Sequence, residues 1–298
     1  MIMKKFYLLC ALGFAVLSSH AQGTAGNSLE GNAVEEPGGK HPITLNASVM
    51  IGANTVANHY ISSHECTGMA YGAHIDFGRF YKRWENVSWN LSYDYISAFE
   101  VVGGLENAAQ TLAETCTSWN LNYSSHYNWS FGDALMVKAG VGADFYADYM
   151  KALTNKTNNV VSVNMLAQLE ASAAVSYIHR YDNWMLGLNG KVSIPFAGLA
   201  FTDSKHESGW GSLFPDGLMD SYDSHLKGTS FSNLQGFDMD LGVKFIMPRV
   251  AVNVGIASDN RWWYVNDIQN YRMSFMFKVG ASFDLVSLEQ KKTINRYF

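Results

Sequence analysis

The sequence predicts an all-β chain: a transmembrane, antiparallel, up-and-down β-barrel of about ten strands, with twelve as the upper count. Three observations predict it. Ten stretches alternate apolar with small or polar residues at a period of two, and the apolar side of each carries no charge. The chain opens on a secretory signal. The links between stretches alternate between short and long.

Residues 1–21 form the signal, with a basic start at Lys4 and Lys5, an apolar run from Phe6 to Leu17 and a small-residue end at Ser19-His20-Ala21. Cleavage is expected before Gln22. The run is too short for a helix to cross a hydrocarbon core of about 30 Å. Cys10 lies within it and leaves with it. Residues 22–42 are expected as a periplasmic N-terminal segment, 43–285 as the barrel and 286–298 as a C-terminal tail.

The apolar sides run Ile43 to Ile51, Met69 to Phe77, Val87 to Phe99, Thr117 to Trp129 and Leu135 to Tyr149. They continue over Val161 to Tyr177, Trp184 to Phe196, Phe237 to Met247, Val250 to Ile256 and Tyr271 to Leu285. Of these 66 positions none is charged, where the chain-wide 16% would place about ten at random. A soluble sandwich keeps charges on its solvated faces, and a lipocalin-like barrel points its apolar side inward, so both fit less well than a barrel in lipid. The mean hydropathy of -0.07 is compatible with this, because membrane barrels hide their apolar half by alternation. A net charge of -5 without a basic cluster gives no support to a nucleic-acid partner.

Short links are expected at 81–86, 130–133, 180–183 and 248–249, and long ones at 52–68, 100–116, 150–160, 197–236 and 257–270. Short turns face the periplasm and long loops the outside, so both chain ends are placed at the periplasmic end. Aromatics follow the same axis. Tyr81, Trp84, Trp129, Phe131, Tyr181 and Trp184 adjoin short turns, and Phe99, Tyr146, Tyr149, Phe196, Tyr264 and Tyr271 the long loops, as two headgroup girdles would.

Lys278-Val279-Gly280-Ala281-Ser282-Phe283-Asp284-Leu285 resembles the C-terminal recognition pattern of bacterial barrels, which implies reading by the barrel assembly machinery. The alternation as a whole, the signal ending Ala-Gln and the segment Gly78-Arg79-Phe80-Tyr81-Lys82-Arg83-Trp84-Glu85-Asn86-Val87-Ser88-Trp89-Asn90 resemble the uncharacterised outer-membrane barrels of Bacteroidetes. That resemblance implies a fold and a multi-pass location in the outer membrane of a Gram-negative bacterium, with lipid as the surrounding partner. It implies no activity.

The opposite sides supply the lumen with Asp76, Asp94, Lys138, Asp144, Asp148, Glu170, Lys191, Asp238, Asp240, Lys244, Arg272, Lys278 and Asp284. A ten-stranded barrel is narrow enough for side chains largely to fill, and buried charges there must pair, so a structural plug is the first expectation and a narrow polar pathway the second. Inward glycines such as Gly140, Gly142, Gly187, Gly242, Gly255 and Gly280 either leave room or relieve curvature.

Cys66 and Cys116 are placed in the first two outside loops, as a disulfide or as two thiols. His59, His64 and Cys66 match no dedicated metal spacing, and neither metal nor cofactor is expected. No nucleophile elbow, zinc-helix motif, phosphate loop or dinucleotide fingerprint occurs, and no catalytic residue is assigned. Asp203, His206, Glu207, Asp216, Asp220, Asp223 and His225 in the longest loop read as an ordinary solvated loop before they read as an acid-base group. Asp94 and His126 point inward from neighbouring strands. The leading functional expectation is a structural or surface-binding barrel whose extracellular loops hold an unidentified ligand through Trp210, Phe214, Tyr222, Trp262 and Trp263. A small-solute channel comes second and a barrel-mouth hydrolase third.

Overall fold

In hydrocarbon every backbone N–H and C=O needs a protein partner, so a sheet that crosses a membrane has no free edge. The chain meets that condition by closing on itself. The structure is a computed structural model that describes residues 43–61, 65–80, 86–98, 100–101, 114–131, 134–152, 161–181, 184–204, 225–247 and 250–284, with the backbone alone over 86–98, 100–101 and at several strand ends. The expected signal, the N-terminal segment, Leu285 and the C-terminal tail lie outside these residues.

The strands are β1 (Ile43–Asn58), β2 (Cys66–Phe80), β3 (Asn86–Ala98), β4 (Glu100–Val101), β5 (Glu114–Phe131) and β6 (Leu135–Ala152). They continue as β7 (Val161–Arg180), β8 (Met185–Phe201), β9 (Leu226–Ser230), β10 (Leu234–Ile246), β11 (Val250–Val265) and β12 (Ile268–Asp284). Ten long strands pair antiparallel in the ring β1-β2-β3-β5-β6-β7-β8-β10-β11-β12. Closure is complete over the height of β1, which pairs with β12 from Thr44↔Asp284 to Asn58↔Asn270 and with β2 from Ile43↔Arg79 to Val56↔Cys66. β4 adds to β2 beyond β3, and β9 adds to β8.

The apolar sides face outward as the alternation requires. Val49, Phe77, Val141, Leu169, Leu188, Leu241, Val254 and Phe277 are all exposed. One irregularity preserves this. β7 and β8 shift register at Leu169/Glu170, where Glu170 pairs with Pro195 and Leu169 with Ala197, leaving Phe196 as the extra residue of a bulge. Proline has no N–H to give a ladder, and a bulge is where a sheet tolerates it.

Several strands climb further than the sequence predicts. Most of 52–68 is strand, and 257–270 is a hairpin rather than a loop, with Val265↔Ile268 closing on Asn266 and Asp267 at φ of 54° and 60°. Positive φ at both central residues is the turn that matches strand twist, and Asn and Asp tolerate it. The alternation fades there for a physical reason. Above the hydrocarbon the outer side meets water, so Ser258 and Asn260 occupy outward positions and the greasy-against-polar contrast ends while the ladder continues.

The inward glycines divide. A Cβ on Gly140 would lie 2.0 Å from the Ser125 carbonyl oxygen, and one on Gly255 2.2 Å from that of Leu241, so here the neighbouring backbone fills the place of a side chain and tight coiling is the reason for glycine. At Gly187 the nearest atom is 3.5 Å away.

Candidate functional site: the bridged lumen

Period-two alternation sends every second residue of each strand inward, the even-numbered ones in β6, and these carry the lumen's charge. Lys138, Asp144, Asp148, Glu170, Arg272 and Lys278 are buried, and Asp76, Lys191, Asp238, Asp240 and Lys244 are half-buried. Asp94 sits in β3 opposite Gly72 and Ser118, and its side chain, like that of Asp284, lies outside the described residues.

Among the described residues Arg261, absent from the expected lumen set, makes the most ion pairs. Arg261 of β11 reaches Asp144 on β6 at 2.8 Å, Asp259 at 2.8 Å and Asp238 on β10 at 3.4 Å. β11 and β6 stand four places apart in the ring of ten, so this pair spans the interior. Arg272 Nη1 donates to the Tyr146 hydroxyl at 3.0 Å, from β12 to the diametrically placed β6, and Tyr146 donates to Asp148 Oδ2 at 2.9 Å. Both guanidinium carbons lie over the Tyr146 ring, at 4.5 and 5.3 Å. Nearer the long-loop end, Asn58 of β1 donates to Ser162 of β7 at 2.7 Å, again across the full ring, and Ser162 donates to Asp203 at 2.5 Å. The lumen is thus bridged at two levels.

Apolar packing reinforces both ends. Met50, Val56, Ile61, Cys66, Ala70, Cys116, Met150, Ala152 and Met276 form one interior cluster, and Tyr146, Leu166, Ala200, Leu234, Trp263 and Val265 another. Ile178, Ile246 and Ala251 pack together near the short-turn end. Between them lies a cavity of about 130 Å³.

Several expectations are corrected here. Trp263 is 0% exposed and packs beside Tyr146 at a ring separation of 6.2 Å, so it is a plug residue rather than a loop anchor, while Trp262 is half-buried on the outer side of β11. Tyr146 belongs to the interior, not to a girdle. Cys66 and Cys116 are buried strand residues, not loop residues, and no disulfide joins them. β3 separates their strands, which sets them at least two strand spacings, about 10 Å, apart, beyond the reach of a disulfide. Asp94 and His126 do not meet: His126 stands opposite Asn86, eight positions along β3 from Asp94, and bonds Ser172 at 2.6 Å. Asp203 and His225 are buried, so the described members of the longest loop's polar group are not at a mouth facing water. Trp210, Phe214, Tyr222, His64, His206, Glu207, Asp216, Asp220 and Asp223 lie outside the described residues. Among the described residues no three His, Cys, Asp or Glu are grouped to hold a metal.

The girdle at the short-turn end is present in Trp129, Phe131, Tyr181 and Trp184, all exposed, with the last two stacked at 4.2 Å. Tyr81 and Trp84 lie outside the described residues.

The profile of a family described as "Protein of unknown function (DUF3316)" matches residues 7–292. The chain belongs to this family. No curated protein matches the DUF3316 chain in sequence. Among solved structures it is similar to the outer membrane protease OmpT of Escherichia coli, at 9% identity and a TM-score of 0.45 over 82% of this chain and 97% of that one. It is also similar to an outer membrane channel of Pseudomonas putida F1, at 9% identity and 0.38 over 84% and 99%, and to Neisserial surface protein A, at 8% and 0.33 over 82% and 97%. Identities this low assign no activity to the DUF3316 chain.

Proposed function

We propose that this DUF3316 protein is an outer-membrane barrel of structural or surface-binding type, closed to solutes, whose long outward loops form the contact surface. Its setting in this reading is the outer membrane of a Gram-negative bacterium, with Bacteroidetes origin resting on the sequence resemblance alone. One observation carries the choice of a closed barrel over a channel: Arg272 to Tyr146 and Asn58 to Ser162 are bonds between strands on opposite sides of the ring. A solute on a continuous path would have to break both, about 1.5–3 kcal/mol for the charge-assisted Arg272–Tyr146 bond and about 0.5–1.5 kcal/mol for the neutral Asn58–Ser162 bond.

The contact surface is assigned to the longest outward segment, where Trp210, Phe214 and Tyr222 supply aromatic anchors. Asp203 and the β9 strand are built into the barrel, which makes 205–224 the segment to remove. In planar bilayers the purified full chain should give no stable conductance steps, and proteoliposomes should retain small sugars. On glycan arrays and immobilised matrix proteins, the proteoliposomes should bind at least one surface, and deletion of 205–224 should abolish that binding while the barrel remains inserted. Steady conductance, or binding unchanged by the deletion, would overturn the reading.

A further inference from the structure

The central cavity of about 130 Å³ has a charge order along the barrel axis. Lys191 on β8 stands opposite Asp240 on β10 in register, and Lys278 of β12 takes Asp240 as its ion-pair partner. Two ammonium groups thus share one carboxylate at this level, and among the described residues Lys191 has no ion pair of its own. Two residues further up β10, a rise of about 7 Å, Asp238 stands opposite Asp259. Both of these carboxylates draw on Arg261, which Asp144 also occupies, and Arg272 reaches Asp259 at 3.6 Å, so three carboxylates face two guanidinium groups and the upper level is acidic where the lower one is basic. Asn122 of β5 lines the same cavity from the opposite side of the ring. It is 8% exposed, its amide nitrogen donates to Glu170 at 2.6 Å, and its Oδ1 has no partner. At the upper level Oδ1 of Asp238 is likewise without one.

An ammonium below with no carboxylate in ion-pair contact and the unmet acceptor oxygens of Asn122 and Asp238 above are complementary to one small molecule that carries both charges. We propose that this cavity is a binding site for a small zwitterion of the α-amino acid class, with its carboxylate on Lys191 and its ammonium group toward Asn122 and Asp238. The rise between the two levels is what such a molecule spans with a hydrogen bond at each end. Size agrees. A cavity of about 150 Å³ accommodates the six heavy atoms of benzene, so this one suits glycine or alanine, of five and six heavy atoms. Buried polar groups are normally satisfied, and an occupant with an N–H donor at one end and a carboxylate at the other satisfies both sets together. The site is independent of the surface-binding reading above, because it uses no loop residue.

The test uses the full chain refolded from urea into detergent with isotopically labelled glycine, acetate or methylammonium present, so that entry does not depend on a route through the folded barrel. Label retained after desalting is then measured. Near-stoichiometric retention of glycine is expected, with acetate and methylammonium each retained at least tenfold less. Lys191→Met, which breaks no ion pair among the described residues, should lose glycine retention at least tenfold. Asn122→Leu should reduce it while leaving the weak acetate signal unchanged. Equal retention of all three probes, no retention of any, or glycine retention unaffected by Lys191→Met would overturn the proposal and leave the cavity to water.

Discussion

The guanidinium of Arg272 and the phenol of Tyr146 meet across the whole width of the barrel, 3.0 Å apart on strands that stand opposite in the ring. The Tyr146 ring is shared by Arg261, whose three nitrogens are each within 3.4 Å of a carboxylate. Removing one member of a buried ion cluster leaves the others uncompensated, at about 3–5 kcal/mol. Arg261→Met should therefore lower the unfolding free energy, measured by urea titration in detergent, by an amount of that order. Tyr146→Phe keeps the ring and loses only hydrogen bonds to charged groups, about 1.5–3 kcal/mol. Equal effects of the two substitutions would contradict this division.

The outer face makes a depth-dependent prediction. Val141 is 62% exposed at the middle of the β6 apolar side, while Tyr264 is exposed next to the Asn266-Asp267 turn. Val141→Arg should cost about 2–4 kcal/mol when unfolding is measured from lipid, and Tyr264→Arg about 0–1. Matching costs at the two positions would mean that hydrocarbon does not surround the barrel where the alternation says it does.

Glycine substitutions separate curvature from spare room. Gly140→Ala forces a methyl to within 2.0 Å of a backbone oxygen on the neighbouring strand, whereas at Gly187 the nearest atom is 3.5 Å away. Gly140→Ala should lower the yield of folded, heat-modifiable barrel on gel electrophoresis severalfold, and Gly187→Ala should leave it unchanged.

What the sequence disclosed follows the solvent. Across the hydrocarbon, lipid outside and charge inside impose opposite demands on alternate residues, so the ring, its strand count and Lys138, Asp144, Glu170, Arg272 and Lys278 were all legible. Above it the two sides resemble each other in composition, so no greasy-against-polar contrast marks Asp259, Arg261 and Trp263 as strand residues. The signal was there in weaker form. These three keep the inward period of two that Val250 to Ile256 establish on the facing positions, and reading charge alternation alone would have extended β11 to its turn. Tyr146 lies between Asp144 and Asp148 on the inward side, so its register, and not its aromatic character, marks it as an interior residue. Cross-ring bonds had no local signature, since Asn58 and Ser162 are 104 residues apart.

Cys66 and Cys116 are buried in an interior apolar cluster on strands that β3 holds apart. Electrophoretic mobility should be the same with and without reductant, and maleimide labelling should reach completion only after unfolding. A reductant-dependent shift of the monomer band would show a bond that this geometry forbids.

The two bridging levels act in series, so opening one should not open the barrel. Asn58→Ala removes the bond to Ser162 and leaves the arginine layer, where Arg272 remains on Tyr146 and Arg261 on Asp144. Its conductance in planar bilayers should stay at the baseline of the unmodified chain. Arg272→Ala removes the full-width contact of the other level, but the Asn58–Ser162 bond still crosses above it. Among the described residues the combination of the two leaves Arg261 and apolar packing across the interior, and water follows charged walls once they are reachable. Intermittent current is therefore expected of the double variant alone, and its size should fall as bulkier salts replace potassium chloride. Current from either single variant would show that the levels are not independent barriers, and the closed-barrel reading would then rest on one bond rather than two.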